Sequence, residues 1–363
     1  MTTPTPAPVR IGLIGAGGIA GAHVAGYRRN PDIVTFAAVA DPVVENAHRR
    51  GDEFGAEVYA DYTTMLAEAE IDAVDICLPH HLHKDAIVAA ARAGKHILCE
   101  KPLCLSVEEA DEVAAAVEAA GVTLMCAHNQ LFLPAVAKAK QLIDDGVLGH
   151  VYEVRTTDSF FNDFDPSTMG WRAHASTSGG GELIDTGYHP TYLLMHLAGG
   201  VPVEVTSMLS THRLAFMEGE DSAQVLVRFD NGVVGHIVTS WAYQAADSTE
   251  RFSVVGEKGS LTSDGTTLSY RLRGSDEAEI LEFEPVHEFA AEIGHFAQCL
   301  IDGTRPLNTE REGIDVLGII LAAYESAANK TIAPVRHGGA SVEAVAASVI
   351  ETVEATQALP QGA

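Results

Sequence analysis

The sequence predicts an α/β protein with a doubly wound parallel sheet in its N-terminal part and an α+β domain with an open, mostly antiparallel sheet in its C-terminal part. Strand-like and helix-like segments alternate up to residue 127, which favours parallel strands joined by right-handed crossovers. A glycine-rich turn links the first strand to the first helix. From about residue 151, alternating strands joined by tight turns dominate, as they do in antiparallel sheets.

Length and composition favour two globular domains. The chain has 363 residues, which exceeds what one hydrophobic core usually supports. Its net charge of −27 disfavours nucleic acid and anionic membranes as partners, and 47% hydrophobic residues are enough for a large core. The five cysteines form no C-x-x-C pair, and neither a secretory signal nor a membrane span is predicted, so we expect a cytoplasmic protein.

The first domain is predicted at residues 9–127, after a flexible tail at residues 1–8. Its predicted strands are Val9–Ile14, Val34–Ala40, Ala73–Leu78, His96–Cys99 and Val122–Ala127. Helices are expected up to about Arg29, at about Val43–Phe54, at about His83–Ala93 and from Ser106 to about Ala120. Ser106 and Glu109 form a capping box, because each can satisfy free amides at the start of that last helix.

The second domain is predicted at residues 128–337, followed by a helical extension at residues 338–363. Its predicted strands include Val151–Ser159, Val203–Thr211, Ala223–Phe229 and Val233–Trp241. Asp230-Asn231-Gly232 and Asp264-Gly265 indicate hairpin turns, because these residue types tolerate a positive φ. Helices are predicted at about Glu288–Asp302, Arg311–Asn329 and Ser341–Gln357.

The glycine-rich turn predicts a dinucleotide site. Gly15, Gly17 and Ala20 follow the pattern G-x-G-x-x-A between a strand and a helix, with Gly18 and Ile19 at the helix start. Asp41 ends the next strand, where a carboxylate accepts ribose hydroxyls. Because Pro42 follows Asp41 and no adjacent cation could receive a 2′-phosphate, NAD is favoured over NADP. The alternative is a glycine turn without a ligand.

Two further motifs carry candidate catalytic residues. Lys101, in Cys99-Glu100-Lys101-Pro102, follows a strand of the parallel sheet and could stabilise a substrate oxygen, although a solvated lysine paired with Glu100 is an alternative. Asp185 and His189 stand four residues apart and would share one face of a helix. Histidine can take a proton near neutral pH, whereas the alternative is a capping aspartate and a packed histidine.

A metal site is not expected. His80, His81 and His83 are close in sequence, but no acidic or cysteine ligand accompanies them at a recognised spacing. Trp171 could stack on a sugar face, with a core position as the alternative, and Arg172 could contact a polar substrate.

Together these motifs resemble the Gfo/Idh/MocA oxidoreductases, the group of glucose-fructose oxidoreductase and inositol dehydrogenase. The resemblance implies a Rossmann domain that binds NAD or NADP, and a C-terminal sheet that forms homodimers or homotetramers. It implies that Lys101, Asp185 and His189 are catalytic and, with the pair Trp171-Arg172, contact substrate. It also implies cofactor contacts from a set that includes Pro79, His83, Glu100, Lys101 and Asn129. His80, His81 and His128 depart from the usual family residues, which leaves the particular substrate open.

The function predicted from the sequence is therefore hydride transfer between NAD(H) and a secondary hydroxyl of a sugar, glycoside or cyclitol bound between the domains. Lys101 and Asp185 would hold the hydroxyl, and His189 would take its proton. Two alternatives stay open: a non-catalytic NAD-sensing regulator on the same fold, and a reductase of dihydrodiol or imine type.

Overall fold

The computed structural model describes residues 7–244 and 250–338, which form two compact units. The first unit contains residues 7–134, 176–179 and 284–313, and the second contains the remaining described residues. Both units are therefore discontinuous in sequence. The domain boundaries predicted at residues 127 and 337 stay a prediction, and the predicted helix Ser341–Gln357 lies outside the described residues.

Six parallel strands form the sheet of the first unit, which confirms the predicted parallel sheet and adds one strand to the five predicted. The elements in chain order are β1 (Val9–Ile14), α1 (Ala20–Arg29), β2 (Val34–Ala40), α2 (Val44–Gly51), β3 (Glu57–Tyr59), α3 (Tyr62–Glu68), β4 (Ala73–Ile76), α4 (His83–Arg92), β5 (His96–Cys99), α5 (Val107–Ala120) and β6 (Leu124–Cys126). The strand order is β3-β2-β1-β4-β5-β6. Successive strands are added on one side of β1 up to β3 and on its other side from β4 to β6, so the topology switches between β1 and β4. Sheets of this kind bind ligands at the carboxyl ends of the strands at the switch point.

The local signals in the first unit have clear structural causes. Ser106 Oγ accepts a hydrogen bond from the Glu109 amide at 3.2 Å, and Glu109 Oε2 accepts one from the Leu105 amide at 2.8 Å. The capping box thus forms, but Glu109 reaches one residue further back than the motif predicts. The sequence pattern missed β3 and α3, because a three-residue strand is too short to show a periodicity.

The second unit contains a mixed sheet of nine strands. The chain continues with α6 (Pro134–Asp144), β7 (Val151–Ser159), α7 (Ala175–Ser178), α8 (Glu182–Asp185), α9 (Tyr188–Ala198), β8 (Pro202–Ser210), β9 (Ser222–Phe229), β10 (Val234–Ser240), β11 (Phe252–Gly256), β12 (Gly259–Ser263), β13 (Thr267–Leu272), β14 (Glu279–Glu282), α10 (Glu288–Asp302), α11 (Glu310–Asn329) and β15 (Ala333–Pro334). Short 3₁₀ turns lie at Asp52–Phe54, His80–Leu82, Asn129–Phe132 and Gly170–Ala173.

The nine strands are ordered β14-β13-β12-β11-β7-β10-β9-β8-β15. All neighbours pair antiparallel except β7 and β10, which are parallel, so the predicted mostly antiparallel sheet is confirmed. Both predicted hairpins form, with Gly232 at φ 86° and Gly265 at φ 99°. Their positive φ explains why glycine occupies these turns.

Helix α10 returns the chain to the first unit. Ile293, Phe296 and Ala297 on this helix belong to the same hydrophobic cluster as residues of β1 and α1. A Cβ at Gly26 of α1 would lie 2.5 Å from Ile293 Cδ1, so a larger residue there would force the Ile293 side chain to move. Within the described residues, no helix is long and apolar enough to cross a membrane.

Candidate functional site

The glycine turn after β1 has the geometry of a phosphate-binding turn. Gly15 adopts φ +91°, and a Cβ there would lie 2.6 Å from the Cys77 carbonyl oxygen. Apart from the adjoining residues, no heavy atom of the described part of the chain lies within 4 Å of the Cβ positions of Gly17 and Gly18. The turn therefore needs glycine at its first position and leaves open space beside the next two glycines, directly before the N-terminus of α1, where amide groups favour anions.

Asp41 ties the end of β2 to the glycine turn. Its Oδ2 accepts a hydrogen bond from the Ala16 amide, and its Oδ1 accepts one from the Val43 amide, both at 2.8 Å. Each carboxylate oxygen can accept more than one hydrogen bond, so these contacts fix the group and leave it able to bind ribose hydroxyls. The structure thus brings together the glycine turn and the acidic residue that the sequence predicted.

Arg50 also contacts the glycine turn, which the sequence did not reveal. Its Nη2 donates to the Gly17 carbonyl at 2.7 Å, and a Cβ at Gly21 would lie 2.8 Å from its Nη1. A guanidinium beside the turn adds positive charge where an anionic pyrophosphate would bind. No motif marks this residue, because it reaches the turn from the last turn of α2.

Lys101 follows β5 at the carboxyl edge of the parallel sheet. Its backbone amide donates to Glu100 Oε2 at 3.1 Å, and Glu100 is buried. The other oxygen of the same carboxylate, Glu100 Oε1, lies 2.9 Å from His23 Nε2. His23 Nδ1 lies 2.8 Å from Asp75 Oδ2. The sequence singled out Lys101 and Glu100 but gave no signal for His23 or Asp75, because single buried residues in a helix and a strand carry no motif.

The histidines of the loop after β4 bind backbone carbonyl groups. His80 Nδ1 lies 2.9 Å from the Ser178 oxygen, and His81 Nδ1 lies 3.2 Å from the Thr177 oxygen. The buried ring of His83 bridges the Pro102 oxygen at 2.6 Å and the Leu78 oxygen at 2.8 Å. Burial lowers the pKa of His83, while the hydrogen bonds to the Pro102 and Leu78 carbonyls oppose this shift. His83 therefore links the loop after β4, which includes Pro79, to the loop of Lys101.

Asn129 lies in the loop after β6, which is the last strand of the first unit's sheet. It is buried and begins the 3₁₀ turn Asn129–Phe132. Its predicted contact with the cofactor stays a prediction, as do those of Pro79, His83 and Glu100.

In the second unit, Trp171, Arg172 and Asp185 form one cluster. Arg172 Nε donates to Asp185 Oδ2 at 2.7 Å, and the Arg172 guanidinium lies 4.3 Å from the centre of the Trp171 ring. Asp185 is buried, whereas Arg172 is partly exposed. The ion pair and the ring contact hold the three polar and aromatic groups in fixed positions.

Asp185 and His189 do not share a single helix, which corrects the prediction from their spacing. α8 ends at Asp185, and α9 begins at Tyr188. Thr186 and Gly187 keep right-handed helical dihedral angles, so the backbone continues to turn in the same sense from α8 to α9. His189 Nδ1 lies 2.8 Å from the hydroxyl of the buried Tyr192, one turn further along α9.

The glycine run before α8 fits closely against neighbouring backbone and side chains. A Cβ at Gly180 would lie 2.2 Å from Tyr324 Oη, and one at Gly181 would lie 2.0 Å from the Glu220 oxygen. Glu182 is fully buried and accepts a hydrogen bond from Thr239. Burial raises the pKa of Glu182 well above its usual value, so its carboxyl group is protonated. The sequence predicted none of these supporting contacts.

Comparison with known proteins connects both units to one group of enzymes. Residues 9–128 match the model of an oxidoreductase family with an NAD-binding Rossmann fold, and residues 136–262 match the GFO/IDH/MocA C-terminal domain. The chain is 30% identical to levoglucosan dehydrogenase of Pseudarthrobacter phenanthrenivorans over 287 residues, 70% of this chain and 73% of that protein. It is 30% identical to scyllo-inositol 2-dehydrogenase (NAD+) of Bacillus subtilis over 335 residues, 88% and 94% of the two chains.

A solved structure of similar fold is levoglucosan dehydrogenase in complex with NADH and levoglucosan. It has a TM-score of 0.83 at 26% identity, and the match covers 91% of this chain and 100% of the other. The likeness therefore includes both sheets.

Proposed function

The chain belongs to the Gfo/Idh/MocA oxidoreductase family, and on this premise we propose that it transfers a hydride between a secondary hydroxyl of a sugar, glycoside or cyclitol and NAD, with His189 as acid/base. The observation that carries the proposal is the glycine turn at α1, which has open space at Gly17 and Gly18 and a fixed carboxylate at Asp41. The similar proteins named above are dehydrogenases of an anhydrosugar and a cyclitol, which supports the substrate class.

The residues of the first unit fit a dinucleotide. The turn at Gly15 and the N-terminus of α1 would hold the pyrophosphate, with Arg50 as a nearby cation, and Asp41 would accept the ribose hydroxyls. When bound, NAD+ supplies the hydride acceptor of the reaction. The preference for NAD over NADP follows from the carboxylate at position 41, which would repel a 2′-phosphate.

The residues proposed for catalysis are held by their neighbours. Tyr192 orients the His189 ring through Nδ1, and a fixed ring is what a general base needs. Asp185 is held by Arg172, so its carboxylate can hold a substrate hydroxyl in a fixed direction. Lys101 donates a hydrogen bond to the reacting oxygen and stabilises the negative charge that grows there as the proton leaves. Each role is a proposal for this chain.

The test uses the purified protein with NAD+ and a panel of inositols, aldoses, glycosides and anhydrosugars, and follows NADH absorbance. We expect turnover with at least one neutral polyol. His189→Ala should lower kcat by about 100- to 10,000-fold while NADH binding, measured by fluorescence, is retained. His150→Ala, which removes an exposed histidine before β7, is the matched control and should keep the rate. No turnover on the whole panel, or full activity of His189→Ala, would refute the proposal.

The two alternatives left open by the sequence are not favoured. The similar proteins are named as enzymes that oxidise sugar and cyclitol hydroxyls, which speaks against a non-catalytic sensor and against a reductase of imine or dihydrodiol type. Transfer of deuterium from labelled NADH to the product would identify the carbon that reacts and so separate these reactions directly.

We also propose that the protein is a homodimer or homotetramer through the sheet of the second unit. The strands β8 and β9 present Met208, which is 80% exposed, and Leu226 on the same face of the sheet, where Met208 pairs with Gln224 and Thr206 with Leu226. Apolar side chains exposed side by side on a sheet favour association. Light scattering after size exclusion should give an oligomer for the wild type and a smaller species for Met208→Glu.

A further inference from the structure

His23 is a fully buried histidine held between two carboxyl groups. Its Nδ1 lies 2.8 Å from Asp75 Oδ2, and its Nε2 lies 2.9 Å from Glu100 Oε1. A carboxylate can only accept hydrogen bonds, whereas a neutral imidazole carries one N–H. Both contacts are therefore hydrogen bonds to carboxylates only when both ring nitrogens carry a proton, which makes His23 an imidazolium cation.

The other polar groups around His23 support this charge assignment. Tyr27, also on α1, donates to Asp75 Oδ2 at 2.5 Å, and Cys77 Sγ lies 3.7 Å from Asp75 Oδ1. Burial raises the pKa of Tyr27 well above its usual value and that of Cys77 to about 12, so both stay neutral. From α10, the fully buried Glu292 interacts with His23 and Glu100, and burial raises its pKa well above its usual value, so its carboxyl group is protonated.

The pKa of His23 agrees with the geometry. Burial, the largest single effect, would lower it, but the interactions with Asp75 and Cys77 together outweigh burial and raise it well above its usual value. For Glu100, burial would raise the pKa, but the hydrogen bond and charge of His23 lower it. The buried group thus holds His23 between the carboxyl groups of Asp75 and Glu100.

Glu100 connects this group to Lys101. Its Oε1 faces His23, and its Oε2 accepts the backbone amide of Lys101 at 3.1 Å. His23 lies on α1, the helix that begins at the glycine turn. A rigid path of hydrogen bonds therefore runs from this helix through one carboxylate to the backbone of Lys101.

We propose that His23 is a positioning residue: as an imidazolium held between Asp75 and Glu100, it clamps Glu100 and thereby fixes the backbone of Lys101 relative to helix α1. The inference rests on the proposed function in one respect, namely that Lys101 contacts the reacting hydroxyl. His23, Asp75 and Cys77 also have the spacing of metal ligands. A protonated thiol and a protonated Nδ1 are poor ligands, so a metal at this place would have to displace both protons.

The first experiment measures the charge of His23 and needs no activity. Protein labelled with 15N in its histidines is studied by NMR at about pH 8, and the resonances of His23 are assigned by their loss in His23→Gln and by their shift in Tyr27→Phe. We expect two protonated ring nitrogens on His23 at a pH where an ordinary histidine is neutral. A neutral His23 ring, or a stoichiometric divalent metal in the purified protein, would overturn the proposal.

The second experiment measures the positioning of Lys101. We expect His23→Gln to lower kcat about 10- to 100-fold with a KM for NAD+ that changes less than about threefold, because a small displacement of a catalytic group mainly affects the chemical step. Tyr27→Phe removes a neighbouring hydrogen bond but leaves the bridge from His23 to Glu100, and should keep kcat within about threefold. An unchanged kcat in His23→Gln would refute the positioning role.

A readout that is independent of turnover separates this inference from the proposed function. Hydrogen exchange at the Lys101 amide should be faster in His23→Gln than in the wild type and Tyr27→Phe, because the accepting carboxylate is no longer clamped. If the wild type oxidises no polyol, the proposed function fails, and exchange and NMR still decide the role of His23. If His23→Gln does not fold, Glu100→Gln replaces it and must lose the same protection, whereas unchanged protection would contradict the proposal.

Discussion

The buried carboxyl group of Glu292 allows a quantitative prediction for protein stability. Glu292 lies on α10 in the first unit, is fully buried, and neither of its carboxyl oxygens has a hydrogen-bond partner within the described structure. Burial raises its pKa well above the ordinary 4.5. The charge of His23 opposes this shift, and the interactions with Glu100 and Asp75 add to it. Glu292→Gln keeps the shape of the side chain and replaces the titratable carboxyl group with an amide that does not titrate.

The sign and size of the effect follow from proton linkage. Between the unfolded and the folded pKa of Glu292, the folded state holds a proton that the unfolded chain has lost, so this group makes the wild type less stable as the pH rises. The slope for one proton is about 1.4 kcal/mol per pH unit. The free energy of unfolding of Glu292→Gln, minus that of the wild type, should therefore increase by at most about 1.4 kcal/mol for each pH unit in the range above the unfolded pKa of Glu292 and below its raised folded pKa.

Urea unfolding followed by far-UV circular dichroism at several pH values measures this difference. Glu288→Gln, on the first turn of the same helix, is the control, because it makes the same chemical substitution at a position that is not buried. We expect the difference in unfolding free energy between the Glu292 and Glu288 variants to grow with pH. A difference that is constant over this range, or that shrinks, would refute the assignment of Glu292 as a buried protonated acid.

Three substitutions test other parts of the site. Asp41→Asn should weaken NADH binding about tenfold in a fluorescence titration, because it removes the negative charge offered to the ribose, and unchanged affinity would contradict that role. Gly181→Ala should destabilise the second unit by about 3 kcal/mol in urea unfolding followed by tryptophan fluorescence, because the new Cβ would lie 2.0 Å from the Glu220 oxygen. Arg172→Lys should lower kcat/KM for the sugar about tenfold by loosening Asp185, and a rate equal to the wild type would show that the ion pair does not hold this carboxylate for catalysis.

The sequence was informative where the signal is local. The strands β1, β2 and β5 begin and end at the predicted residues, because alternating apolar runs and adjacent turn residues specify them directly. Gly15 and the hairpin glycines were recognised for the same reason, since a positive φ is a requirement of the residue itself. Family membership followed from three short motifs in order and is confirmed by the matched family models.

The sequence failed where the spacing had to be interpreted in three dimensions. Asp185 and His189 have helical spacing, but the helix is interrupted between them. β7 pairs parallel with β10, which no hairpin signal could show, because the partner is far away in the chain. Arg50 reaches the glycine turn through a long side chain, and no pattern in the sequence predicts where such a side chain ends.

The sequence by itself therefore determined the parallel cofactor-binding fold, the glycine turn with its acidic partner, and the candidates Lys101, Asp185 and His189, because each depends on residue types at short spacing. Only the tertiary structure decided which groups surround these candidates. The return of α10 to the first unit brings Glu292 to His23, and the fold places His23 between Asp75 and Glu100. The charge of a buried group depends on such long-range neighbours and on the exclusion of water, and neither is encoded in a local pattern.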